Sequence, residues 1–184
     1  WSMARAAWEL LGERISDGIV VTKHGYSMGG IGNLTVLEAG HPVPDEDSFA
    51  ATERVLSMTD GLSPEDTVIF LLSGGGSALF ELPLILPEEL FRITGELLAC
   101  GADIVEINTV RKRLSSVKGG RFALHCAPAR VFSVVLSDII GDPLDMIASG
   151  PACEDKSTCR DALAVAEKYS LTLSEQALRC LDTE

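Results

Sequence analysis

The chain lacks any apolar run long enough to cross a bilayer, and no charged-then-apolar leader opens it, so neither a membrane span nor a secretory signal is expected. Histidine is scarce, with only His24, His41 and His125. The five cysteines (Cys100, Cys126, Cys153, Cys159 and Cys180) are odd in number and without CxxC spacing, so no zinc signature forms. Ordinary thiols in a reduced, cytoplasmic setting are expected. Positive charge is also in deficit: 15 Lys and Arg against 27 Asp and Glu give a formal charge of −12. That balance argues against nucleic acid and against an anionic membrane surface as partners. Methionine is missing from the first position, where Trp1 stands, which predicts a piece of a longer protein.

What is present is a chain of 184 residues, 46% hydrophobic, able to bury a core as one globular domain or the larger part of one. Apolar spacing predicts a helix over 3–15, and short strands at Ile19–Thr22 and Leu34–Glu38. A loop rich in proline follows, from Ala39 to Glu46, then a helix over 47–59 and a strand at Thr67–Leu72. Pro87 suits a helix start and Gly101 its end. Further helices are expected over 103–115, near 119–126, from the Thr158-Cys159-Arg160-Asp161 capping box to about Tyr169, and over 174–181. Arg130–Leu136 reads as a buried parallel strand. Strands alternating with helices imply an α/β fold, a three-layer α/β/α, Rossmann-like domain with a mostly parallel sheet. Ligands of such sheets lie beyond the carboxyl ends of the strands.

Three constellations carry chemistry. Ser73-Gly74-Gly75-Gly76-Ser77 follows the strand at 67–72, where glycines let backbone N–H groups approach an anion; a plain tight turn is the alternative. Leu79 stands where the third glycine of G-x-G-x-x-G would fall, and the Gly-Lys-Ser/Thr of a P-loop is absent. Glu106, Asn108, Arg111 and Lys112 share a helix, the last three on one face, and Lys118-Gly119-Gly120 follows. They hold a phosphate or carboxylate, or else form a solvated basic face paired with Glu106 and Asp103. Ser137-Asp138-Ile139-Ile140-Gly141-Asp142 and Ser149-Gly150-Pro151 form the third. Asp138 stands after a strand, where a carboxylate holds Mg²⁺ or orients a hydroxyl, or merely caps a helix. His41, between Gly40 and Pro42, either contacts an anion or bonds within its loop.

Together these blocks resemble the glycerate 2-kinases of the MOFRL type. The resemblance runs through Glu38–Glu46, Leu72–Leu79, Ile107–Arg121, Ser137–Pro143 and Ile147–Pro151, in order and across nearly the whole chain. It implies ATP-dependent phosphorylation of D-glycerate to 2-phosphoglycerate with Mg²⁺. By that resemblance Ser73, Gly74, Gly75, Gly76 and Ser77 hold phosphate. His41, Asn108, Glu106 and Asp142 bind substrate, while Asp138, Lys118 and Arg111 are catalytic and Asp138 is closest to the metal. Arg113 departs from the histidine usual in the family. Residues 1–184 are expected to form a single domain lacking both the family's first strand–turn, with its lysine, and its C-terminal MOFRL domain. Such a fragment is expected to be weak or inactive alone, and a homo-oligomer is left open. The rivals are an NAD(P)H-dependent hydroxypyruvate reductase and a non-catalytic phosphosugar-binding module.

Overall fold

The computed structural model describes residues 1–137 and 144–183. Two compact units divide the chain. The first comprises Trp1–Glu81 and His125–Asp138, the second Leu82–Leu124 and Ile139–Glu184.

In the first unit, helix α1 (Ser2–Leu11) leads to strand β1 (Ile19–Lys23), which pairs in parallel with β2 (Thr35–Ala39) from Ile19↔Thr35 to Lys23↔Ala39. Trp8 lies against the connecting loop: a Cβ on Gly32 would stand 2.1 Å from its ring, so only glycine fits there. Helix α2 (Glu46–Met58) begins at Asp45, whose carboxylate and the Ser48 side chain form a reciprocal cap, and it buries Ala51 and Val55. Strand β3 (Thr67–Leu72) pairs in parallel with a later strand, Arg130–Val135, over all six residues.

Both ladders are parallel, as the alternation predicts, but among the described residues each holds two strands. The run Arg130–Leu136 is accordingly not buried as expected. Phe132, Val134 and, just past the strand end, Leu136 are 57%, 51% and 65% exposed, along one face of a strand that among the described residues is paired on one side. His125 is structural, its Nε2 3.0 Å from the Leu56 carbonyl oxygen.

The second unit is helical. Helix α4 (Pro87–Ala99) has proline in its first turn and buries Leu90, Ile93 and Leu97. Helix α5 (Ile104–Arg113) is capped by Asp103 and Glu106, and α6 (Arg121–His125) follows. Helix α7 (Cys159–Lys168) opens on the Thr158–Asp161 box expected from the sequence, and α8 (Glu175–Asp182) is capped by Ser174. Leu90, Ile93 and Leu97 meet Ile107, Val110, Leu114, Ala162, Ala166, Ala177 and Leu181 in one core. The strand closing the first unit's second ladder, Arg130–Val135, is β4.

Candidate functional site

The four strands found among the described residues belong to the first unit, and so do the loops leaving the carboxyl ends of β1, β2 and β3. Strand β3 stops at Leu72, and Gly75 takes φ 90°, a left-handed turn into the short helix α3 (Gly76–Leu79). A Cβ on Gly75 would stand 2.8 Å from His41 Cδ2, so the imidazole lies directly on the glycine backbone. The sequence-predicted phosphate turn and His41 are thereby brought together. The Gly75 carbonyl accepts from the N–H groups of Ala78 and Leu79. Among the described residues, no acceptor meets the N–H groups of Gly74, Gly75 and Gly76. Three consecutive amides without partners among the described residues have the N–H arrangement that can receive an anion.

The loop carrying His41 is fixed from behind. Gly40 N donates to Asp45 Oδ1 at 2.9 Å, and Ser48 N donates to the same oxygen at 2.9 Å. A side chain at Gly40 would collide with the Val43 carbonyl at 2.6 Å. Asp45 Oδ2 lies 2.8 Å from His24 Nε2. Partial burial pushes the Asp45 carboxyl up, but the hydrogen bonds from His24, Ser48 and Gly40 outweigh it and hold it well below the usual range. The same bond to Asp45 raises the exposed His24.

His24, Asp45 and Asp47 offer three potential ligand atoms within 4.8 Å of one another. Magnesium takes an oxygen shell, whereas this set supplies an imidazole, one carboxylate already bonded to a helix start and the exposed carboxylate of Asp47. It fits a loop clasp better than a Mg²⁺ site. Asp138 and Asp142 lie outside the described residues.

In the second unit the basic residues are engaged within the fold. Lys118 is fully buried, and its Nζ donates to the Ala148 carbonyl at 3.3 Å. Lys112 is 3% exposed, with Nζ 3.2 Å from Asp155 and 3.5 Å from Asp145. Burial raises the Asp155 carboxyl, while Ser157 and Lys112 together bring it below its ordinary value. Arg121 Nη1 donates to the carbonyls of Lys112 and Ser115, closing the last turn of α5. In the Lys118-Gly119-Gly120 turn the two glycine amides are occupied, Gly119 N and Gly120 N donating to the Ser149 and Gly150 carbonyls at 2.9 and 2.8 Å. A cavity of about 440 Å³ is lined by Lys112, Arg113, Lys118, Arg121, Cys153 and Asp155, among others.

Glu106 differs most from expectation as a substrate ligand. Its Oε1 pairs with Lys168 at 2.5 Å, and Oε2 accepts from Tyr169 Oη at 2.7 Å and from Asp103 N at 3.1 Å. Both oxygens are spent on tying α5 to α7. Lys168, then Tyr169, hold its carboxyl down to about 2. Arg111 is half-buried on α5. Asn108, one turn earlier, is 2% exposed, and its Oδ1 accepts from the buried Ser149 hydroxyl at 2.9 Å. Ala148 and Ser149 take φ 51° and 61°, each costing ~1–2 kcal/mol for a residue with a Cβ.

Sequence reasoning gave no site role to His24 or Asp45, though both lie in loops that follow strands, and missed Asp145 and Asp155. Asp45 was legible as an N-cap, three residues before Ser48 at a helix start. Asp145 and Asp155 are distant in sequence from Lys112 and carry no local signal.

An α/β scaffold with parallel strands and a glycine turn of open amides behind one of them is the class of architecture seen here. The match to known proteins narrows the class: a family model described as a domain of unknown function, DUF4147, fits residues 1–182, and the chain belongs to that family. It is 57% identical over 183 residues to a D-glycerate 2-kinase of Thermotoga maritima, covering 98% of this chain and 44% of that protein. A putative hydroxypyruvate reductase of Agrobacterium vitis is 43% identical over 88% of this chain and 37% of its own length. A crystal structure of the glycerate kinase from Thermotoga maritima superposes with a TM-score of 0.97 at 56% identity, covering 99% of this chain and 44% of that one. The chain therefore has the fold of a glycerate kinase and spans less than half the length of the relatives it matches.

Proposed function

We propose that the protein containing this chain phosphorylates D-glycerate to 2-phosphoglycerate at the expense of ATP. The observation that carries the reading is the row of unpartnered amides at Gly74–Gly76, backed by His41. Such a row suits transferable phosphate oxygens, because fixed N–H dipoles stabilise charge without reorganising. Ser73 and Ser77 flank it with hydroxyls. By the resemblance, Asn108, Arg111 and Lys118 act on the anionic groups of the substrates; Lys118 is buried with Nζ on the Ala148 carbonyl, and its charge is felt from within the helical unit. Asp138 orients the glycerate hydroxyl and accepts its proton. Mg²⁺ would take oxygen ligands from the nucleotide phosphates and Asp138, supplying charge neutralisation. Glu106 has no part in this reading, because its oxygens are occupied within the helical unit. His41 stays beside the phosphate turn. A cytoplasmic setting accords with five free cysteines, and no helix among the described residues is long and apolar enough to cross a membrane.

The hydroxypyruvate reductase reading has the names of some relatives behind it. Leu79 in place of the third fingerprint glycine counts against it. One assay separates the two on the complete protein. ADP release that needs both ATP and D-glycerate is expected, and NADH oxidation with hydroxypyruvate is not. Asp138→Asn should lower glycerate turnover by at least about a hundredfold with an unchanged melting temperature. Near-normal turnover removes Asp138 from the chemistry, and NADH oxidation without ADP release overturns the kinase reading.

A further inference from the structure

Ala148, Ser149 and Gly150 take φ values of 51°, 61° and 60° in succession, so three adjacent residues are left-handed and two of them carry a Cβ. A fold keeps such a turn only where its surroundings over-determine it. Here they do: the Ala148 carbonyl accepts from Lys118 Nζ, and the Ser149 and Gly150 carbonyls accept from Gly119 N and Gly120 N. Ser149 is wholly buried, and its hydroxyl donates to Asn108 Oδ1.

That last bond decides which end of the Asn108 amide is left over. With Oδ1 taken, Nδ2 still carries two protons. One meets Met146 Sδ at 3.4 Å, a weak acceptor. Among the described residues, the other has no acceptor. A donor on a side chain 2% exposed is costly to leave unmet. An oxygen-bearing ligand would meet both needs, displacing the Met146 thioether, which is only partly buried.

We propose that Ser149 is a positioning residue: by holding Oδ1 of Asn108, it presents the Nδ2 protons to an anionic oxygen of the substrate. The inference rests on the reading of Asn108 as a substrate ligand and adds what orients it. Ser149 itself touches no reacting atom. Met146 holds the ligand oxygen's place until substrate arrives.

The test uses the complete protein and three variants. Ser149→Ala removes the hydroxyl and keeps the Cβ. Ser149→Gly removes both and relieves the left-handed backbone. Asn108→Asp keeps an acceptor for Ser149 while replacing the donor with a negative charge. Both Ser149 variants should raise KM for D-glycerate about tenfold with kcat within about threefold. Ser149→Gly should melt higher than Ser149→Ala, so the rise in KM does not follow stability. Inorganic phosphate, without glycerate, should raise the melting temperature of the wild type and fail to raise that of any variant. Unchanged KM in both Ser149 variants, KM that tracks melting temperature, or equal phosphate protection of wild type and variants would each overturn the proposal. A protein that turns over no glycerate, yet loses phosphate protection in all three variants, defeats the kinase reading and leaves Ser149 in its role.

Discussion

Single positions in this chain are constrained from opposite directions. Gly75 must be glycine twice over, once for its φ of 90° and once because His41 occupies the space of a side chain. In Gly75→Ala, the left-handed backbone costs ~1–2 kcal/mol, and the new methyl also drives the imidazole off the cradle. Glycerate phosphorylation by the complete protein should fall more than about tenfold, while the melting temperature drops only a few degrees. Retention of wild-type turnover would show that the close approach of His41 has no part in phosphate handling. The need for glycine at 75 was visible in the sequence, since a run of three glycines after an apolar strand has few other uses. The identity of the neighbour was not, because His41 lies 34 positions away with no periodicity joining them.

Between elements, the clearest device is the clamp of α5 on α7. Glu106 pairs with Lys168 and Tyr169 and at the same time caps its own helix. Its carboxyl falls from 4.5 to about 2, with the Lys168 hydrogen bond the largest cause. The sign follows: a carboxyl depressed in the folded state stabilises the fold above its unfolded value, and that stabilisation is lost as the pH falls from about 4.5 towards 2. Glu106→Gln should therefore melt below wild type at neutral pH. The two acid-denaturation curves should approach each other through that window and meet by its lower end. A constant gap across the window would detach the clamp from the charge. Helix and strand positions were well marked in the sequence: β3 at Thr67–Leu72 was read to the residue, and α7 was given by its capping box. The clamp was not, because Glu106 sits beside Asn108 and Arg111 on a helix that reads equally well as a ligand face. Only the arrival of Lys168, 62 positions on, shows where its charge goes.

At the scale of the molecule, the alternation of strands and helices foretold parallel pairing, and both ladders are parallel. It did not foretell the division into a strand-bearing and a helical unit. Local periodicity is silent on how many strands a ladder collects, so the apolar run at Arg130–Leu136 promised more burial than two strands give it. That division interacts with an anchoring noted earlier. Trp8 packs on Gly32, Trp1 Nε1 donates to the Gly29 carbonyl at 2.8 Å, and these are the chain's two tryptophans. Both indoles thus report on one loop of the strand-bearing unit, and the helical unit contributes no indole at all. Tryptophan emission and far-ultraviolet circular dichroism, recorded on one sample through a denaturant titration, then follow different populations of residues. Emission should change with the α1 and β1–β2 region whatever the helical unit does. Substituting Gly32 by alanine should shift the emission maximum towards that of water-exposed indole while leaving the helical signal intact, giving the chain an optical label it already carries.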